Sequence, residues 1–315
     1  MKPIRVAVVG VGHLGSVHAR IYSQLESAQL VAVCDLLPDR AKEAARRLGC
    51  RAVTDFSQIL KEVEAVSIAV PTQAHFPVAS AFLSQGVHTL VEKPITSTVQ
   101  EADELLKLAD KSGALLQVGH VERFNAALQR VRDLLKNPRF IEVHRLAPFQ
   151  PRGTEVGVVL DLMIHDIDLL LWLVNQPVNR VEAVGVKVLT SFEDIANARV
   201  TFENGAVANL TSSRISKEAM RKFRIFQTDL PETGQAGAYV SMDLLGQAVD
   251  LFSHRDGRIS HEHLSISGEE PLKSQLASFL EAVHLGKTPP VSGREARDAL
   301  DLALKITRLV HETPV

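Results

Sequence analysis

Three groups of residues in this chain have types and spacings that could do chemistry. The first is Gly10-Val11-Gly12-His13-Leu14-Gly15, a G-x-G-x-x-G run placed directly after the aliphatic stretch Ile4–Val9. In such a run the first glycine makes a tight turn and the second lets backbone approach a pyrophosphate. The third lets the following helix pack on the strand. Free N–H groups at that helix start, together with its dipole, favour a phosphate. Asp35 ends the next apolar stretch, at the distance where a carboxylate accepts hydrogen bonds from an adenosine ribose. A carboxylate there disfavours a 2′-phosphate, so the expected cofactor is NAD; Arg40 close behind keeps NADP as the alternative.

The second group is Glu92-Lys93-Pro94, at the end of the apolar stretch Val87–Val91. The carboxyl ends of strands in an open parallel sheet face the ligand crevice. The third is Asp161, His165 and Asp168, whose offsets of four and seven place them on one helical face. A histidine can take a hydroxyl proton, and a lysine ammonium can steady the oxygen left behind, so Lys93 and His165 suit hydride removal from an alcohol. A plainer alternative is Lys93 as a surface charge and Asp161 as a helix cap tied to a packed His165. Three polar groups among Leu162, Ile164, Leu169 and Leu171 are costly to bury, which favours a wet cleft. His13, and His75 after Pro71-Thr72-Gln73, are expected at the edge of the cofactor pocket, whereas His18 and His144 have no adjacent chemistry. Cys34 and Cys50 have neither metal nor redox spacing and read as small hydrophobes, and no metal is expected at His261-Glu262-His263.

These residues need a scaffold. Aliphatic runs at Ile4–Val9, Leu30–Cys34, Ala65–Val70, Val87–Val91 and Ala114–Val118 alternate with helical stretches such as Pro38–Leu48. Continuous apolar runs suit strands buried on both faces, so the first part reads as a doubly wound parallel sheet. After Gly119 the pattern changes. Helices are expected over Glu122–Leu135 and Leu160–Val174, followed by a valine-rich strand, Arg180–Leu189. Hairpin signals follow at Asn204-Gly205, where both turn positions would need φ > 0, and at Asp256-Gly257. Helices near Leu272–Leu285 and Arg294–His311 close the chain. The expectation is an α/β chain: residues 1–119 form a dinucleotide-binding domain and residues 120–315 an α+β substrate-binding and oligomerisation domain on an open antiparallel sheet.

Composition narrows the setting. The 315 residues suffice for two domains of the usual ~100–200 residues. With 45% hydrophobic and 23% charged residues the chain is globular in type, and a net charge of −2 argues against nucleic acid or an anionic membrane as partner. The apolar run Leu169–Val174 is far short of the ~18–20 residues that span a bilayer, and the start lacks a signal-peptide pattern, so a cytoplasmic location is expected.

Taken together, the glycine run with Asp35, Val70-Pro71-Thr72 before His75, Glu92-Lys93-Pro94 and Asp161-x-x-x-His165 resemble the glucose–fructose oxidoreductase, inositol dehydrogenase and MocA family, over essentially the whole chain. The resemblance implies a Rossmann domain followed by a domain with an open antiparallel sheet. It also implies a lysine and a histidine at a sugar hydroxyl, matching Lys93 and His165, with Asp161 beside them. The cofactor-binding set expected from motif and resemblance is Gly10, Gly12, His13, Leu14, Gly15, Asp35, Pro71, Thr72, His75, Glu92 and Lys93. Val118–Asn125 and Val159–Asp166 are similar, more narrowly, to bacterial UDP-N-acetylglucosamine 3-dehydrogenases, which oxidise the sugar 3-hydroxyl before a transamination. Ala126 departs from that pattern, standing where a proline is common. The expected substrate is therefore a sugar or nucleotide sugar; the alternatives are a free sugar or cyclitol, or a non-catalytic dinucleotide sensor, which would need neither Lys93 nor His165. Arg123 and Asn125 are expected near the substrate. Arg152 is either a bidentate partner for a substrate phosphate or a solvated loop arginine. A homodimer or homotetramer is expected through the sheet face around Ala206–Leu210.

Overall fold

The computed structural model describes residues 2–151, 156–228, 237–255, 258–266, 268 and 270–312. Arg152 and the Asp256-Gly257 turn lie outside the described residues. The chain forms two compact units, Met1–Val121 with Glu270–Leu300, and Glu122–Glu269 with Asp301–Val315.

In the first unit, strands β1 (Ile4–Val9), β2 (Ala28–Cys34), β3 (Arg51–Val53), β4 (Ala65–Ile68), β5 (His88–Val91) and β6 (Leu116–Val118) pair in the order β3-β2-β1-β4-β5-β6. Every pairing is parallel, as the aliphatic runs predict. Val6, Ala7 and Val8 are fully buried, because helices cover both faces of such a sheet. Strand order reverses between β1 and β4, and ligands bind outside the carboxyl ends of strands at such a switch point. Helices α1 (His13–Tyr22), α2 (Pro38–Leu48), α3 (His75–Ser84) and α4 (Val99–Ser112) connect the strands. A single cut at residue 119 does not divide the chain, because residues 270–300 return to this unit. The cause is helix (Pro271–Leu285): its Leu276, Phe279 and Leu280 complete the core formed by Val6, Val8 and Tyr22.

In the second unit, β7 (Pro138–Leu146), β8 (Val178–Val186), β9 (Ile195–Phe202), β10 (Val207–Ser213), β11 (Met220–Gln227), β12 (Ala238–Asp243), β13 (Ala248–Arg255) and β14 (Arg258–Ser265) form one sheet among the described residues. The order is β14-β13-β12-β11-β7-β10-β9-β8, antiparallel except for the parallel pair β7–β10. Ala206, Ala208 and Leu210 are fully buried, so those three side chains line the core. Strand alternation sends Val207, Asn209 and Thr211 outward instead. In the β9–β10 turn only Gly205 has positive φ, +79°; Asn204 does not need it, since its side chain accepts the Ala206 N–H at 3.0 Å.

Two expected helices also differ. The segment from 122 is broken into a 3-10 turn (Val121–Phe124), α5 (Ala126–Val131) and a second 3-10 turn, because Asn125 caps a new helix by accepting the Ala127 N–H. The helix expected from Leu160 begins as one π-helical turn, Val159–Met163, before α6 (Ile164–Val174).

Candidate active site

The glycine run lies where β1 meets α1, and the structure gives each glycine a reason. Gly10 has φ +85°, and a Cβ there would lie 2.6 Å from Ala69 O. A Cβ on Gly15 would overlap Gly10 O at 1.7 Å. Gly12 is the opposite case: nothing lies within 4 Å of its Cβ position. Gly12 is also the N-cap of α1, so no cap side chain occupies the first N–H groups of the helix. That is the geometry a pyrophosphate requires, and His13 and Leu14 stand exposed on the same turn.

Asp35 is buried at the end of β2. Its Oδ2 accepts the Val11 N–H at 3.0 Å and its Oδ1 the Leu37 N–H at 3.0 Å, tying the glycine loop to β2. Arg40, half-exposed, turns toward it at 3.5 Å. Beside the loop is a cavity of about 260 Å³ lined by Gly12, His13, Ser16, Arg40 and Arg47. A larger cavity of about 530 Å³ lies at the amino ends of β1 and β5, beside Ile4 and His88, away from the ends where α/β sheets bind phosphates.

Lys93 lies two residues past β5, at the carboxyl end of the strand, and is partly buried. The Lys93–Pro94 peptide bond is cis. Glu92 turns inward, only 7% exposed: its Oε2 accepts the Lys93 N–H at 3.2 Å, and its Oε1 lies 3.3 Å from His18 Nε2. His75 is also turned inward. Its Nδ1 lies 2.8 Å from Pro94 O and its Nε2 2.9 Å from Val70 O, so it ties the Pro71–Thr72 loop to the segment after Lys93. Burial holds the His75 imidazole below its ordinary value, against the pull of those carbonyls. Pro71 and Thr72 remain partly or fully exposed at the start of the turn before α3.

The second unit carries the histidine. Asp161 lies inside the π-turn and His165 in the first turn of α6; both are partly exposed in a segment whose Met163, Ile164 and Ile167 are fully buried. π-turns within helices recur at functional sites. Arg214, just past β10 and 5% exposed, reaches to 3.8 Å from Asp161 Oδ2, and its Nη2 donates to Val156 O at 2.8 Å.

Asp168 does not share that partly exposed face. It is buried and holds Arg123 through two bonds of 2.7 and 2.8 Å, while the Arg123 guanidinium lies over Trp172. Arg123, expected beside substrate, is thus engaged within the unit. Asn125 is likewise buried, donating to Leu244 O at 2.9 Å. Position along the chain does not reveal whether a polar group faces solvent or a buried partner. Arg145 on β7 is fixed between Asp166 at 2.8 Å and Glu122 at 3.0 Å. Burial works against its charge, but the two carboxylates hold it above its ordinary value.

His18 has no chemistry beside it in the sequence; its partners, Glu92 and Ser67, are distant along the chain, and the local signal is a histidine on the buried side of α1. His261 and His263 share Asp250 as a partner, at 2.9 and 2.8 Å. Among the described residues no group of three or more His, Cys, Asp or Glu is arranged to hold a metal, and no helix is long and apolar enough to cross a membrane.

Two family descriptions match this chain: the oxidoreductase family with an NAD-binding Rossmann fold over residues 4–120, and the GFO/IDH/MocA C-terminal domain over residues 117–229. The chain is 37% identical over 313 residues to the UDP-N-acetylglucosamine 3-dehydrogenase of Acidithiobacillus ferrooxidans, covering 97% of each chain. A solved structure of UDP-N-acetylglucosamine 3-dehydrogenase from that organism, 38% identical, matches with a TM-score of 0.91 over 98% of each chain. The myo-inositol 2-dehydrogenase of Thermotoga maritima is 25% identical over 336 residues, 98% of this chain and 97% of that one.

Proposed function

This chain belongs to the GFO/IDH/MocA family of NAD-binding oxidoreductases, and from that premise we propose that it oxidises the 3-hydroxyl of UDP-N-acetylglucosamine. The observation that carries the substrate is the 37% identity, sustained over 97% of both chains, to a UDP-N-acetylglucosamine 3-dehydrogenase. NAD, when bound, takes the hydride at its nicotinamide ring. The open helix start at Gly12 holds the pyrophosphate and Asp35 the adenosine ribose, with His13, Leu14, Pro71 and Thr72 along the same pocket. His165 accepts the hydroxyl proton. Lys93, as an ammonium, steadies the negative charge that develops on the same oxygen. Asp161, steadied by Arg214, orients His165 or holds the neighbouring hydroxyl. His75 and Glu92 shape the loops around Lys93. Arg152 remains the candidate for the substrate diphosphate.

A homodimer or homotetramer and a cytoplasmic setting are part of this proposal. The surface that supports assembly is the outward face of the second sheet. There Phe140, Phe226, Tyr239, Phe252 and His261 stack across five neighbouring strands, with ring centroids 4.3 to 5.7 Å apart.

The test is NADH formation by the purified protein with UDP-N-acetylglucosamine, N-acetylglucosamine and myo-inositol, alongside calorimetry with NAD and NADP. The expected result is a kcat/KM for the nucleotide sugar at least about tenfold above the others, and tighter binding of NAD than NADP. A preference for myo-inositol would replace the substrate with a cyclitol. Absence of turnover with all three, with NAD still bound, would favour a dinucleotide sensor.

A further inference from the structure

Beneath Lys93 a chain of polar side chains runs through the interior of the first unit, where aliphatic residues would pack at lower cost. His18 on α1 is fully buried. Its Nδ1 lies 2.7 Å from Ser67 Oγ in the middle of β4, and its Nε2 lies 3.3 Å from Glu92 Oε1. Tyr22, one helical turn after His18 and also fully buried, faces Ser67 and Glu92; burial pushes its phenol well above the ordinary value. Glu92 Oε2 takes the Lys93 N–H at 3.2 Å. Gly119 completes the arrangement, since a Cβ there would lie 2.4 Å from Glu92 Oε1 and evict the carboxylate.

We propose that His18 is a positioning residue for the reaction, acting through Glu92 on Lys93. The inference rests on Lys93 acting at the substrate oxygen. With the Ser67 hydroxyl donating to His18 Nδ1, 2.7 Å away, that nitrogen carries no proton. The imidazole proton then sits on Nε2, the nitrogen 3.3 Å from Glu92 Oε1. One carboxylate oxygen lies against His18 Nε2, and the other accepts the Lys93 N–H. The lysine side chain therefore starts from a fixed point at the strand end. Displacing a reacting group by ~1 Å can cost ~10²-fold in rate, so the orientation of a buried residue that touches no substrate reaches the chemical step.

Two substitutions separate positioning from simple packing. Asn at position 18 can still bond Ser67 but is too short to reach Glu92; Gln can carry an amide N–H to where Nε2 lies. His18→Asn is expected to lower kcat about 10- to 100-fold while KM and the Kd for NAD stay within about threefold, and His18→Gln to return kcat to within about threefold of wild type. In the protein without substrate or cofactor, ¹⁵N spectra of labelled histidine, assigned by difference against His18→Gln, should place the His18 proton on Nε2. Equal losses in both variants, wild-type kcat in His18→Asn, or a proton on Nδ1 would each overturn the proposal. If His18→Asn does not fold, Ser67→Ala replaces it: a several-fold fall in kcat is expected, and an unchanged kcat overturns the proposal. Lys93→Met run in parallel keeps the two ideas apart. If that variant turns over normally, the role of Lys93 fails; if it is inactive while His18→Asn is not, the role of His18 fails.

Discussion

Lys93, just past β5, and His165, in the first turn of α6, are both partly buried, the exposure expected of groups that must meet a substrate and yet be held. If they act on one oxygen, removing either affects the transition state and leaves cofactor binding alone. Lys93→Met keeps a long stem without the charge, and His165→Asn keeps a polar group without the base. Each should lower kcat by roughly 10²–10⁴-fold with little change in NAD affinity. The double variant should lose much less than the product of the two, because the groups work as a unit. Steady-state kinetics with calorimetry check this, and near-normal turnover in either single variant would remove that residue from the mechanism. Arg123 is the instructive contrast. The same residue type that could meet a phosphate is engaged by Asp168 and Trp172.

At the scale of elements, buried ions hold the helix that carries His165. Arg145 joins β7 to α6 through Asp166 and to the preceding 3-10 turn through Glu122. Such pairs add little net stability but fix geometry, since losing one partner strands the other. A different device closes the loop between β8 and β9. Burial alone would raise the Asp194 carboxyl, but the N–H groups of Val188, Leu189 and Thr190 with the Thr190 hydroxyl hold it down to about 2. A depressed folded-state value stabilises the fold above the unfolded value of 3.8, and the contribution fades as pH falls toward 2. It amounts to at most about 2.5 kcal/mol. Asp194→Asn should therefore lower Tm at neutral pH, and the gap to wild type should shrink near about pH 2.5. A gap that stays constant with pH would assign the effect to packing.

For the molecule as a whole, the question is what covers the outward face of the second sheet. Phe226 is 38% exposed, within a row of aromatic rings that lie cross-strand from one another. Exposed aromatic stripes of this kind mark association surfaces. Light scattering at micromolar concentration should give the mass of a dimer or tetramer, and Phe226→Asp should shift it toward the monomer. A monomeric wild type would leave the face without that role.

The first unit was legible in the sequence because its signals are local. A strand buried on both faces is an unbroken aliphatic run, and a phosphate-binding turn needs glycines at fixed spacing, so β1, β2, α2, Gly10, Gly15 and Asp35 could be read from a few neighbours each. The hairpin at Gly205 and the helix carrying His165 were legible for the same reason. What only the tertiary structure decided depends on partners far apart in the chain. β7 lies mid-sheet beside β10, and residues 270–300 return to the first core, because burial of an apolar face does not specify which face will cover it. Polar residues were harder still. A histidine in sequence is compatible with a solvated site, a core contact or a tether. His18 became a partner of Glu92, and Asp168 a partner of Arg123, only when folding removed water and brought a buried counterpart to each group.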